Sequence, residues 1–154
     1  MSDKLKQLST SKKRFLLCAG AFLLTLAAMY AMYIVMKVPP FGNRSIAWED
    51  ADIQYLDFFS YFRDVLMGKN RIAYSMTNTL GNGGIGLYSY YLASPFNLLV
   101  VLFKQSQLEV FFSLIVALKV AAASATACYF LQVRFADRID AVITVLLACG
   151  YGMM

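Results

Sequence analysis

Three carboxylates within four residues, Glu49, Asp50 and Asp52, stand just before Gln54 in a chain without histidine. A carboxylate can accept the proton of a hydroxyl nucleophile. It is also a hard oxygen ligand for a divalent cation such as Mg2+ or Mn2+. If residues 47–67 form a helix, Asp50, Gln54 and Asp57 recur at i, i+4 and i+7 and share one face. Asp52 then points about 200° away from Asp50. The bland alternative is the solvated polar face of an amphipathic helix, and spacing alone leaves both readings open.

The element before this cluster is a membrane helix by composition. Phe15–Met36 is a run of 22 residues without a charge, and about 20 apolar residues cross a bilayer. The run exceeds the h-region of a cleaved signal peptide, and no A-x-A-like site closes it, so a retained signal anchor is expected. Tyr30 and Tyr33 suit an interfacial aromatic belt. Lys4, Lys6, Lys12, Lys13 and Arg14 precede the run. They place the N-terminus in the cytoplasm and residues 37–107 outside. Residues 1–14 read as a disordered, basic cytoplasmic tail.

The same positional argument explains the net charge of +5. A nucleic-acid surface would interleave cations with exposed aromatics on a soluble domain, so no nucleic-acid partner is expected. The 60% hydrophobic content and mean hydropathy of +0.59 lie above those of a soluble domain. Cys18, Cys128 and Cys149 all fall in apolar stretches. With no C-x-x-C and no histidine, they read as small buried hydrophobes and not as a metal set.

Pro39, Pro40 and Gly42 end the first span. Ser45 can cap a helix with Glu49 and Asp50 in its first turn, and Gly68 can stop it. Its apolar spacing suggests a helix lying against the membrane surface. Residues 69–87 read as loop. Gly81–Gly86 matches G-x-G-x-x-G, but no strand precedes it, so a dinucleotide site is rejected in favour of a loop whose backbone approaches a substrate or the membrane. Ser94-Pro95 starts a short apolar helix, Phe96–Phe103, too short to span and therefore re-entrant or interfacial.

Leu108–Leu131 is the expected second span, with Lys119 near its middle. A charge at that depth is costly, so Lys119 should face the protein interior, a watery cavity, a lipid phosphate or an acid on another helix, unless it snorkels. Residues 132–138 form a cytoplasmic turn, and Ile139–Met154 begins a third span. The expected class is an all-α polytopic membrane protein with three membrane helices, the third truncated. The abrupt last helix suggests the N-terminal part of a larger protein.

Four stretches carry a family resemblance. They are Asp50-Ala51-Asp52-Ile53-Gln54-Tyr55-Leu56-Asp57-Phe58-Phe59, Leu66-Met67-Gly68, Leu80-Gly81 with Gly84 and Gly86, and Tyr90-Tyr91-Leu92-Ala93-Ser94-Pro95-Phe96-Asn97-Leu98-Leu99. As a set they resemble the YfhO-like bacterial membrane proteins, over about residues 15–150. The resemblance implies a C-type glycosyltransferase of the plasma membrane. Such an enzyme moves a sugar from a polyprenyl-phosphate carrier to an extracytoplasmic cell-envelope polymer such as teichoic acid. It implies Asp50 as base or cation ligand, Asp52 as second choice, and Gln54 as polar partner. Tyr90, Tyr91, Asn97 and Lys119 are the further substrate-binding candidates: tyrosines can cover the apolar face of a sugar, and a cation can steady a leaving phosphate. Arg44, Arg63, Lys69 and Arg71 could hold a lipid phosphate. The competing expectations are a transporter or flippase subunit, an assembly factor, or an inactive truncated product.

Overall fold

A computed structural model of the chain describes residues 2–47, 54–74, 84–135 and 138–154. The described residues contain helices and irregular segments and no strand. They form two compact units, one of residues 1–35 and 116–154, the other of residues 36–115.

The first unit holds α1 (Ser2–Met36) up to Val35, the larger part of α4 (Leu108–Arg134) and α5 (Ala141–Met153). The backbone of α1 is helical from Ser2, so the basic segment continues the helix where disorder was expected. No proline or glycine occurs before Gly20. Lysine, leucine and glutamine are good helix formers, so the apolar helix propagates backwards through them. Two helical stretches, Ser11–Met36 and Gln105–Arg134, are long and apolar enough to cross a membrane. At 13 residues, α5 is shorter than a full span. Asp140 caps it, accepting a hydrogen bond from the Val142 N–H at 2.8 Å.

Small residues let the helices of this unit come close. Ala21, Cys128, Ala148 and Cys149 form its core, with Leu17 and Leu131 packed beside them. Thr25 donates to Ser124 Oγ at 2.9 Å, and both side chains are fully buried. Gln132 Nε2 donates to the sulfurs of Cys18 and Cys128 at 3.3 and 3.2 Å. The three cysteines are therefore free and buried or half-buried, as their apolar settings suggest. Large apolar side chains point outward instead, among them Phe15, Leu23, Val35, Phe130 and Leu146. A bundle with small residues inside and large apolar ones outside is arranged for lipid.

The second unit starts where α1 stops. Lys37 adopts a left-handed conformation (φ 57°), and its carbonyl accepts from the Arg44 N–H at 3.0 Å. A Cβ on Gly42 would overlap that Lys37 carbonyl. Ser45 Oγ accepts from the Ala47 N–H at 3.1 Å; the first turn of the helix it was expected to cap falls in residues 48–53, outside the described residues. Further on, α2 (Leu56–Leu66) ends as expected at Gly68 (φ 75°). The Lys69 N–H reaches the Asp64 carbonyl at 2.8 Å and the Gly68 N–H reaches that of Val65 at 3.0 Å, which is a Schellman closure.

Phe59 and Phe62 of α2 enter a core with Leu92, Val100, Leu108, Phe111 and Ile115. The apolar face expected to lie on the membrane thus meets protein. Phe59 and Phe111 pack edge to face, with ring centroids 5.1 Å apart, an arrangement worth about 1 kcal/mol beyond area burial.

Gly152 offers a test of the helix packing. A Cβ there would run into Ser124, whereas nothing lies within 4 Å of one added at Gly150. Gly152→Leu is expected to destabilise the detergent-solubilised protein by about 1–3 kcal/mol, and Gly150→Leu to leave the midpoint of thermal unfolding nearly unchanged. Equal effects would refute this close approach of α5 to α4.

Candidate functional site

A bend in the chain organises the residues singled out from the sequence. The short helix α3 (Gly84–Leu87) runs into a π-helical turn, Tyr88–Leu92, and a 3-10 helix follows at Pro95–Leu102. The two legs meet at 101°. Ser94 is extended (φ −70°, ψ 132°), as a residue before proline must be. Pro95 opens the second leg, where its missing N–H is not needed.

The bend brings the carbonyls at the end of the first leg within reach of the Asn97 side chain. Asn97 supplies one donor for both. Its Nδ2 donates to Tyr91 O at 3.3 Å and to Leu92 O at 3.2 Å. The side chain is 0% exposed, and its Oδ1 has no partner among the described residues. Asn97 was expected to bind substrate; here it holds the bend.

With the bend held, Tyr91 is aimed at α2. Its hydroxyl donates to Gln54 Oε1 at 3.3 Å. Its ring packs edge-on against Tyr55 at 5.0 Å and beside Phe58 at 5.1 Å. Tyr90 packs edge-on against Tyr91 at 4.6 Å but is itself 80% exposed. The structure thus brings Gln54, Tyr90, Tyr91 and Asn97 into one connected set. Asp50 and Asp52, the proposed base and cation ligands, lie outside the described residues. Among the described residues, no group of three or more acidic, cysteine or histidine side chains is arranged around a metal position.

Lys119 belongs to the other unit. It is exposed on α4, and the described ion pairs, Arg63–Asp64 and Lys69–Asp64, do not involve it. The chain's own described residues therefore do not enclose it.

Two contacts were not anticipated. Arg63, considered for a lipid phosphate, donates from Nε to the Phe103 carbonyl at 2.6 Å and so closes the end of the 3-10 leg. Gly84 donates to the Ala73 carbonyl at 3.1 Å, and a Cβ on it would overlap Ile72 O. That glycine of the loop motif serves an approach of the chain to itself. An arginine four residues after Phe59 and a glycine in a Gly-rich run carry no sequence sign of these partners, because both contacts are to backbone far along the chain.

A family model for the bacterial membrane protein YfhO matches residues 21–154. The chain belongs to the YfhO family. No curated protein and no solved structure matches it. The match covers all of the second long apolar helix and of the bent segment and the first helix from Ala21 onward, so this YfhO-family chain is a multi-pass membrane protein of bacterial type. The resemblance stated from the motifs is thereby confirmed as to family.

The bond network makes a graded expectation. Asn97→Leu removes the side-chain donor shared by the Tyr91 and Leu92 carbonyls from a buried site and should cost about 1–3 kcal/mol, whereas Tyr91→Phe loses a single hydrogen bond and should cost about 0.5–1.5 kcal/mol. Thermal unfolding in detergent reads the difference, and a Tyr91→Phe loss exceeding that of Asn97→Leu would contradict the assignment.

Proposed function

We propose that this YfhO-family chain serves transfer of a sugar from a polyprenyl-phosphate donor to a cell-envelope acceptor outside the plasma membrane, such as teichoic acid. The carrying observation is the Tyr91–Gln54 hydrogen bond. It ties the residue that follows the acidic segment to a bent, apolar hairpin. An acceptor hydroxyl needs a base as its oxygen bonds to the sugar carbon. Asp50 is the proposed base, with Asp52 as second choice. The bond from sugar to phosphate breaks as the new one forms, and the phosphate leaves on its lipid. Tyr90, exposed beside Tyr91, offers a ring face to the sugar. Lys119 would supply positive charge to the leaving phosphate. The basic residues in the first part of α1, ahead of its charge-free run, support an N-terminus in the cytoplasm, with residues 37–107 outside.

A second reading draws on the exposure of Lys119 in a membrane helix. A cation at mid-span suits a polar path in a transporter or flippase subunit.

Envelope glycosylation by membranes carrying the full-length protein discriminates between them. Asp50→Asn is expected to lower transfer by about 10²–10⁴-fold, the range of a lost general base. Unchanged transfer in both Asp50→Asn and Asp52→Asn would end the transferase reading. Loss of transport with retained sugar transfer in Lys119→Leu would favour the second.

A further inference from the structure

The 3-10 leg has two unlike sides. Asn97 and Val100 are fully buried against the second unit, and Phe103 packs on its core. Leu98, Val101 and Leu102, at i, i+3 and i+4, face outward with 53%, 41% and 77% exposure. On a 3-10 helix Leu98 and Val101 lie one above the other and Leu102 sits about 120° round from them; three large exposed aliphatic side chains so close together would be a poor surface against water.

Their place in the chain says what covers them. Leu102 is followed by Phe103, by the exposed polar residues Lys104, Gln105, Ser106 and Gln107, and then by α4, which crosses the membrane. Lys104 N–H donates to Gln107 Oε1 at 3.2 Å, so this polar link is a tight turn and not a long tether. The leg must therefore sit at the level where α4 enters the bilayer. Its length excludes a crossing. A 3-10 helix of eight residues extends about 16 Å, against a hydrocarbon core of about 30 Å. The 101° bend prevents the two legs from adding to one straight span.

We infer that Leu98, Val101 and Leu102 form a bilayer contact. The bent segment is a shallow wedge, with these three side chains in the acyl-chain region and Lys104 at the headgroups. The polar clamp of Asn97 faces the protein side of the same leg, where its bonds are shielded from lipid.

The test uses the full chain reconstituted in phosphatidylglycerol–phosphatidylcholine vesicles. Trp48 is the single tryptophan, so a Trp48→Phe background isolates new probes. Leu98→Trp, Val101→Trp and Leu102→Trp are each read for quenching by acyl-chain-brominated lipid and by aqueous iodide, with Ser106→Trp as the polar control. All four positions are exposed, which limits damage to the fold. The expected result is blue-shifted emission at 98, 101 and 102, largely lost in brominated vesicles and insensitive to iodide, with the opposite pattern at 106. Quenching of the three by iodide alone would place the leg in water. Quenching by neither would mean that protein covers it. Either outcome overturns the inference.

Discussion

The second unit depends on one buried amide. Where the chain bends at Ala93–Ser94–Pro95, the proline has no N–H to continue the helical ladder, and an unpaired backbone group away from water is costly. Asn97 Nδ2 answers the carbonyls of Tyr91 and Leu92 from within the next helix. That bond sets the direction of Tyr91, and Tyr91 in turn meets Gln54 and Tyr55. The segment Tyr90–Asn97 is therefore first of all a device that holds the backbone's bend.

The same economy of polar groups governs the three-helix unit. Thr25 and Ser124 satisfy one another, and Gln132 spends its amide on Cys18 and Cys128. Such contacts add little net energy between membrane helices, about 0.6 kcal/mol on average. Their use is to fix which faces meet. The close approach of Gly152 to Ser124 does the same by shape.

Much of this was readable in the chain itself where the cause is local. Gly68 stops α2 because only the last turn is involved. The charge-free run from Phe15 identifies a span whatever it packs against. The readings that needed revision are non-local. The apolar side of α2 was assigned to a membrane surface, yet Phe59 and Phe62 pack on Phe111, Ile115 and other core residues about fifty positions further on. Tyr33 was placed in an interfacial belt but is buried. Apolar spacing reports that a face is covered and is silent about whether protein or lipid covers it.

The sequence by itself determined the membrane-spanning character, the helical class, the family and the stop signals, because each rests on composition or on a few adjacent residues. Only the tertiary structure decided that Asn97 is a clamp, that Arg63 closes a helix end, and that Gln54 and Tyr91 meet. The reason is physical: each of those contacts joins groups whose separation along the chain ranges from five to forty residues. Which pairs meet is set by the bend and by the packing of α2 on α4, and not by any one residue's type.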